Sequence, residues 1–454
     1  MDVKKIFEVY KEYEKKEIKL LGRVRSHRQG KVVSFIVLND GTTLKDLQIV
    51  YKADVKGFDK IQSARVSSII EVTGMVVLTP DKLQPFEVQA TELVLLDQSI
   101  EDYPLQKKEH SPEFLREISH LRARTKTFQS IFRLRSAAAF AIHEFFQKNN
   151  YVYLTSPIIT ENDAEGAGES FIVTTRADNN YEEDFFGKKA NLSVSGQLHA
   201  ESFAQAFQST YTFGPTFRAE NSNTSRHAAE FWMIEPEIAF IDLTGNIKVI
   251  EDMLKYVINY IFENNMDELN FCDENLENGL IKKLENIKNS NFVKNTYSEA
   301  IEVLSQAVKN GHKFEENDIK FGMDLGSEHE KYICEVVNKC PTFLINYPKE
   351  IKAFYMKQND DGKTVAAVDL LVPGIGELVG GSQREDNYDL LMKRCKEMNI
   401  NTEELKWYLD LRKFGYFKSA GFGLGFERLV MYITGASNIR DVLPFPRTPK
   451  NLLF

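Results

Sequence analysis

The chain has 454 residues, a net charge of −9, 43% hydrophobic residues and 27% charged residues, as expected for a globular protein of two or three domains. No apolar run approaches the roughly 20 residues of a membrane span, and the charged N-terminal segment resembles neither a signal peptide nor a transit peptide. The four cysteines show no CxxC spacing, which argues against a zinc site or a disulfide framework and favours a reducing cytoplasm.

Five short segments with turn formers between them predict a barrel at the N-terminus. The turns are Asn39-Asp40-Gly41 and Thr79-Pro80-Asp81. Five strands in about 80 residues are typical of the OB-fold, and an SH3-like barrel is the alternative. We expect this domain over residues 1–100, with strands at 18–26, 32–39, 47–51, 69–79 and 86–96.

A polar, helix-prone stretch interrupted by prolines, residues 101–126, predicts a hinge between two domains. From residue 127 the apolar period becomes helical, and a strand over 151–160 follows. Later segments alternate strands with helices, and 250–335 is a polar helical region. These features predict an α+β domain over 127–454, with a mainly antiparallel sheet flanked by helices. The helix face is Ile131, Leu134, Ala138, Ile142 and Phe145, and the long strands are 211–221, 230–240 and 365–372.

The segment FGPTFRAENSNTSRHAAEFWMIEPEIAF, residues 213–240, predicts a hairpin whose side chains suit a nucleotide. Arginine offers a fixed fork to phosphate oxygens, a carboxylate can accept from an exocyclic amine, and an aromatic ring can stack on a base. A surface hairpin with scattered charges is the alternative. The residues expected around one concavity are Arg218, Glu220, Arg226, His227 and Phe231.

Two further segments carry candidate chemistry. In GFGLGFERL, residues 421–429, the glycines allow close backbone approach before a helix that carries Arg428; a packed glycine turn is the alternative. In DLLVPGIGELVGGSQRE, residues 369–385, an apolar strand delivers Asp369 and Glu377 and then Arg384. Carboxylates near a phosphate site suggest Mg²⁺, which prefers oxygen ligands; a strand with a capping acid is the alternative.

Taken in order, these segments resemble the signature motifs of class II aminoacyl-tRNA synthetases over essentially the whole chain. The helix and strand that end at Pro157 resemble motif 1, the dimer-forming element, and the FRAE hairpin and GLGFER resemble motifs 2 and 3. The N-terminal barrel resembles the anticodon-binding domain of the aspartyl, asparaginyl and lysyl subclass. The resemblance implies ATP as substrate, a tRNA partner and a homodimer.

The resemblance also implies roles for individual residues. Arg218 would bridge the α-phosphate and the substrate carboxylate, and Arg428 would act on the outer phosphates. The remaining implied roles are Glu220 on the adenine amine, Phe231 on the ring, His227 on the β- and γ-phosphates, Arg226 on a mobile loop, Glu377 with Asp369 on Mg²⁺, and Glu165 with Gln197 on the α-amino group.

The amino acid is indicated by VSGQLHAES, residues 194–202, which resembles a segment where aspartyl enzymes carry a lysine three residues after the glutamine. Ala200 stands at that position here, so a partner for a substrate carboxylate is missing. Arg384 matches the other side-chain contact. Glu235 can accept a hydrogen bond from a carboxamide and repel a carboxylate. The resemblance therefore favours the asparaginyl members of the family, which activate L-asparagine and transfer it to tRNA(Asn).

In the barrel, the resemblance implies an anticodon site. Phe35 would give a stacking face, and Gln48 can both donate to and accept from a base edge. Arg25 and Arg28 would bind backbone or base. Core packing is the alternative role for Phe35, because it lies in an apolar run.

One departure and three alternatives remain. Gly380 stands where aspartyl enzymes have a serine that helps to bind Mg²⁺, so coordination would depend more on water. An aspartyl enzyme that charges both tRNAs is disfavoured by Ala200 and Glu235. An ammonia-dependent asparagine synthetase is disfavoured by the barrel, and an inactive paralogue by the intact motif residues.

Overall fold

The structure, a computed structural model, describes residues 1–82, 84–161, 170–222 and 224–454. The chain divides into two units, Met1–Gln129 and Ser130–Phe454. The predicted barrel and the predicted hinge segment both belong to the first unit. No helix in the described ranges is long and apolar enough to cross a membrane.

The first unit contains the predicted five-stranded closed barrel. Burial alternates along its strands, since successive side chains of a strand point to opposite faces and every second one enters the barrel. Ile36 and Leu38, for example, are fully buried, whereas Phe35 and Val37 between them are half-exposed. The strands are β1 (Glu17–Arg28), β2 (Ser34–Asn39), β3 (Leu47–Tyr51), β4 (Ile69–Leu78) and β5 (Phe86–Asp97), paired in the order β1–β2–β3–β5–β4 with β4 closing on β1.

Short helices accompany the barrel. Helix α1 (Val3–Val9) begins at an N-cap, where the Asp2 side chain accepts from the backbone N–H of Lys5 at 2.7 Å. Its buried Val3 and Ile6 join the barrel core. The others are α2 (Phe58–Ile61), α3 (Pro112–Glu117) and α4 (Ser119–Arg122).

The second unit begins along helix α5 (Lys126–Lys148), and all five apolar residues predicted for its inner face are buried. The single strand predicted over 151–160 is wrong. Only β6 (Val152–Tyr153) and β7 (Ile159–Thr160) form there. Pro157 lies between them and has no N–H to donate to a ladder.

A mixed eight-stranded sheet organises the second unit, and five of its seven strand pairs are antiparallel. The prediction of a mainly antiparallel sheet is confirmed. A small sheet of β7, β8 (Ile172–Val173) and β9 (Ala190–Leu192) lies apart from it in the pairing. The order of the large sheet is β12 (Val293–Thr296), β13 (Thr342–Pro348), β14 (Thr364–Val372), β15 (Gly376–Gln383), β16 (Ser419–Gly425), β11 (Glu230–Ala239), β10 (Ser209–Phe217) and β6.

Helices pack along this sheet. Helix α6 (Gln197–Phe207) contacts β10 and β11, and α7 (Leu243–Asn264) contacts β14, β15 and β16. The region 250–335 is largely helical, as predicted, but 311–326 forms neither helix nor strand. The other helices are α8 (Met266–Asn275), α9 (Leu280–Asn289), α10 (Tyr297–Lys309), α11 (Ser327–Lys331), α12 (Tyr388–Glu397), α13 (Lys406–Leu409) and α14 (Phe426–Thr434).

Candidate active site

The antiparallel pair β10–β11 forms the predicted hairpin, with Phe217 opposite Glu230 at the end that carries the connecting loop. The five side chains predicted to surround one concavity line a single cavity of about 170 Å³. Arg428, from the first turn of α14, lines the same cavity, together with Glu377 and the backbone of Gly423 and Gly425 in β16. The segments that resemble motifs 2 and 3 therefore line one cavity, as the resemblance implied.

Arg218 is placed by backbone pairing just beyond the end of β10. Its N–H donates to the carbonyl of Ala229 at 3.0 Å, which continues the hairpin by one residue. Its guanidinium lies 5.5 Å from the centroid of the Phe231 ring, a cation–π distance that fixes both side chains at the cavity wall. Glu220, two residues on, is exposed at the mouth.

The positively charged side chains of this cavity repel one another. Nδ1 of His227 lies 2.5 Å from Oγ1 of Thr224. Burial lowers the pKa of His227, and the neighbouring Arg428 charge lowers it further. Burial and Arg428 also lower the pKa of Arg226. A polyanion bound here would relieve this repulsion.

The carboxylates of Asp369 in β14 and Glu377 in β15 lie on the same face of the β14–β15 pair. A Cβ added to Gly380 would lie 3.0 Å from Oε1 of Glu377 and 3.4 Å from Oδ1 of Asp369, so both carboxylates face the space above this glycine. Lys352 donates to Asp369 at 2.7 Å. Arg428 Nη1 lies 3.7 Å from Oε2 of Glu377.

A third carboxylate, Glu330 of α11, was missed by the sequence analysis. Its Oε2 accepts from the backbone N–H of Glu377 at 2.9 Å. Burial and the charges of Glu377 and Asp369 raise the pKa of Glu330 to about 7. No local pattern could have found this residue, because α11 reaches β15 only through the tertiary fold.

These oxygens are the donors that Mg²⁺ prefers, and their mutual repulsion favours a cation between them. Across the described ranges, however, no group of three or more His, Cys, Asp or Glu side chains is arranged to hold a metal ion directly. The two carboxylates that face the space above Gly380 fit Mg²⁺, which binds proteins through one or two carboxylates and keeps several waters.

A second cavity of about 210 Å³ adjoins the first, and Arg218 and Glu377 line both. The amide nitrogen Nε2 of Gln197 is buried and has no hydrogen-bond partner among the described residues. A buried donor without a partner in the lining of a cavity is suited to binding a ligand. The lining includes Ser195, Gln197, Glu235, Lys352, Tyr355, Asp369, Gly380, Gly381 and Arg384.

Glu235 lies at the wall of this second cavity and is 5% exposed. It accepts from Oγ of Ser195, from the N–H of Gly196 at 2.8 Å and from Oγ1 of Thr212 at 3.0 Å. Burial raises its pKa, and these three donors oppose that effect. Since a carboxylate has about four acceptor positions, one remains for a ligand.

Arg384 is 2% exposed and is oriented by Glu237. Glu237 accepts from Nε of Arg384 at 3.0 Å and from its Nη2, and Ser382 Oγ accepts from Nη1 at 2.7 Å. Burial raises the pKa of Glu237 to about 7, against the opposing effect of Arg384. A Cβ at Gly421 would lie 2.2 Å from Glu237 Oε1, so this carboxylate occupies the space that a side chain there would need.

Ala200, which stands where aspartyl enzymes have a lysine, is buried on α6 and is not part of the cavity lining. Glu165, predicted for the amino-acid site, falls in 162–169, outside the described residues. Glu237 was missed, although its spacing of two from Glu235 on a strand was a signal that both share one face.

On the barrel, Arg28 and Phe35 are paired in β1–β2, and the guanidinium lies 4.9 Å from the ring. Gln48 pairs with Val37, two residues from Phe35, and therefore shares its outward face. Gln48 Nε2 donates to Glu87 at 3.2 Å, a partner that the sequence analysis missed. Phe35 is half-exposed and is not part of the barrel core.

Arg25 is not brought to this face. It lies at a bulge in β1, where the register shifts between Val24 and Ser26, and its Nη1 donates to the carbonyl of Arg124 at 2.5 Å. It lines another cavity of the first unit together with Arg23 and Arg124.

Comparison with known proteins identifies the group to which this site belongs. Residues 111–449 match the family described as tRNA synthetases class II (D, K and N). The chain belongs to this family. Residues 18–96 of this class II synthetase match the OB-fold nucleic acid binding domain, so the predicted OB-fold is confirmed over the SH3-like alternative.

Relatives of this synthetase are similar to it over their whole length. Asparagine–tRNA ligase of Mycoplasma mycoides subsp. mycoides SC is 72% identical and that of Mesoplasma florum is 66% identical, each over all of both chains. The crystal structure of asparaginyl-tRNA synthetase from Pyrococcus horikoshii complexed with asparaginyl-adenylate is 31% identical, with a TM-score of 0.86 over 97% of each chain.

Proposed function

We propose that this class II synthetase is an asparagine–tRNA ligase. It activates L-asparagine with ATP to asparaginyl-adenylate and then transfers asparagine to the 3′-terminal adenosine of tRNA(Asn). The full-length similarity to asparagine–tRNA ligases supports this activity. The observation that carries the mechanism is that Arg218 lines both cavities, so that two anionic substrates can meet at one guanidinium.

In the first step, a carboxylate oxygen of asparagine attacks the α-phosphorus of ATP and pyrophosphate leaves with the electron pair. In the second, the 3′-hydroxyl of the tRNA attacks the acyl carbon and AMP leaves. Neither step needs a covalent enzyme intermediate, so catalysis consists of positioning and charge neutralisation. Arg218 would hold the α-phosphate and the substrate carboxylate together through its planar fork.

The first cavity would hold the nucleotide. Phe231 stacks on adenine and Glu220 accepts from its exocyclic amine. Arg428, His227 and Arg226 bind the β- and γ-phosphates, which relieves the repulsion among these cations.

Asp369 and Glu377 would hold Mg²⁺ with retained waters, because both carboxylates face the space above Gly380. The ion supplies charge neutralisation to the phosphates. Glu330 positions Glu377 by accepting a hydrogen bond from its backbone N–H.

The second cavity would hold asparagine. Gln197, with Glu165, binds the α-amino group through its amide oxygen, while the buried Nε2 remains available to a substrate oxygen. Glu235 accepts from the carboxamide NH₂ at its remaining acceptor position, and Arg384 donates to the carboxamide oxygen. Aspartate would meet the Glu235 carboxylate without the lysine that Ala200 replaces.

The barrel, residues 1–100, would read the anticodon, with the hinge over 101–126 and the catalytic domain over 127–454. Phe35 stacks on a base, Gln48 reads a base edge, and Arg28 extends the same face. Arg25 lies away from this face and donates to the Arg124 carbonyl, so it is left out of the proposed site.

We also propose that the chain works as a homodimer in the cytoplasm. Strand β6 is an edge of the large sheet. Its Val152 and Tyr153, with Phe140 of α5, are exposed apolar side chains in the motif 1 segment. An unpaired edge with apolar side chains is suited to a second copy.

Aminoacylation of a bulk tRNA pool with labelled asparagine, aspartate or lysine tests the proposed function. Asparagine should be esterified to a single isoacceptor group with an asparagine anticodon. Labelling with aspartate on two tRNA species would favour a non-discriminating aspartyl enzyme, and no labelling with any of the three would contradict ligase activity.

A further inference from the structure

Arg384, the guanidinium of the amino-acid cavity, lies close to two buried carboxylates. Glu237 binds it directly, and Oε2 of Glu201 lies 4.0 Å from its Nε. Glu201, on α6, is fully buried and is not part of the cavity lining. Glu201 can therefore influence the substrate only indirectly, because its negative charge offsets the positive charge of Arg384.

Glu201 is held in place by three donors. Arg412 Nη2 lies 2.5 Å and Tyr416 OH 2.6 Å from its Oε1, and Tyr408 OH lies 2.8 Å from its Oε2. The guanidinium of Arg412 lies over the rings of both tyrosines, 4.3 and 4.2 Å from their centroids. So many donors around a buried acceptor-only group indicate a built network rather than an accidental contact.

The buried charges on this side of the cavity, here called the wall, do not balance. The buried carboxylates are Glu201, Glu235 and Glu237; the guanidiniums of Arg384 and Arg412 pair with Glu201 and Glu237. Counted as fully ionised, these five groups carry one net negative charge, which the raised pKa of Glu237 reduces near pH 7. The other charged residues of the lining, Arg218, Lys352, Asp369 and Glu377, cancel one another. Buried charges interact far more strongly than charges in water, so a substrate carboxylate is disfavoured here and a neutral carboxamide is not.

We propose that Glu201 is a specificity-determining residue that reduces the positive potential of Arg384 towards the cavity and thereby disfavours aspartate relative to asparagine. The inference rests on the proposed function and deepens it. Glu201 does not touch the substrate, so it positions and polarises Arg384 rather than taking part in the chemistry.

The test uses Glu201→Gln, which keeps the shape of the side chain and removes its charge. ATP–pyrophosphate exchange is measured with asparagine and with aspartate. The ratio of kcat/KM for asparagine over aspartate should fall about tenfold, mainly through a lower KM for aspartate, with the KM for ATP unchanged. Tyr416→Phe is the matched control: it removes one hydrogen bond to Glu201, keeps the charge and should leave the ratio unchanged.

Two further variants separate charge from structure. Glu201→Asp keeps the charge and should retain the ratio. Arg412→Gln makes the wall more negative and should shift the ratio towards asparagine, even if Glu201→Gln folds poorly. Proportional losses with both amino acids in Glu201→Gln, or a ratio unmoved by Arg412→Gln, would overturn the inference. Absence of asparagine-dependent exchange in the unaltered protein would instead contradict the proposed function, and the inference with it.

Discussion

Arg135 of α5 donates to Glu427 at the start of α14 at 2.7 Å, across 292 positions of sequence. The other oxygen of Glu427 accepts from the backbone N–H of Trp232 in β11 at 2.9 Å. One fully buried carboxylate thus joins the segments that resemble motifs 1, 2 and 3. The helix that bears Arg428 is thereby fixed against the hairpin that bears Arg218.

Glu427→Ala should lower the free energy of unfolding of the second unit by about 3–5 kcal/mol, because Arg135 and the Trp232 N–H lose their buried partner. Urea unfolding followed by tryptophan fluorescence measures this, since Trp232 and Trp407 both lie in that unit. Asp252→Ala, which breaks an exposed pair with Lys248, is the control and should cost less than about 1 kcal/mol. Equal effects of the two substitutions would show that the contacts of Glu427 with Arg135 and Trp232 do not stabilise the second unit.

Arg218→Ala should reduce ATP–pyrophosphate exchange by a factor of about 100 or more, because the α-phosphate and the substrate carboxylate lose their shared donor. Arg218→Lys keeps the charge without the planar fork and should recover only part of the activity. Arg176→Ala, at an exposed ion pair with Asp178, is the control for loss of an arginine. Near-normal exchange in Arg218→Ala would remove Arg218 from the mechanism.

Phe35→Ala should raise the KM for tRNA by about tenfold through the loss of one stacked base, and leave exchange without tRNA unaltered. Aminoacylation at varied tRNA concentration measures this effect. Val32→Ala, at a position 78% exposed just before the same strand, should change neither quantity. A parallel fall in exchange would mean that Phe35 supports the fold instead of the RNA.

His227 should make ATP binding pH-dependent. Its pKa is lowered in the free protein by burial and by Arg428, and phosphates bound nearby should raise it. A proton is then taken up on binding, so affinity for ATP should rise as the pH falls from about 8 to about 6 and level off below the free-state pKa. Equilibrium dialysis at each pH measures the Kd. His227→Gln corrects for titration of ATP itself, and an identical pH slope in both proteins would contradict a phosphate contact.

Local periodicity predicted much of this molecule. The barrel strands, the inner face of α5 and the gathering of Arg218 and Phe231 follow from alternation, helical spacing and a hairpin turn. The position of Arg428 beside them was implied only by the resemblance to the family motifs. Residues brought in by long-range packing were missed. Glu330 reaches Glu377 from a separate helix, and Glu201 meets Arg412 across 211 positions. Arg25 departs from its predicted face because of a bulge, which inserts one residue without a recognisable sequence signal.

We propose that the second cavity selects asparagine for activation at Arg218. The decisive experiment is ATP–pyrophosphate exchange without tRNA, with asparagine, aspartate and lysine at equal concentration. Exchange is expected with asparagine and none above background with the other two. Exchange with aspartate at a comparable rate would contradict the selection assigned to Ala200, Glu235 and Arg384.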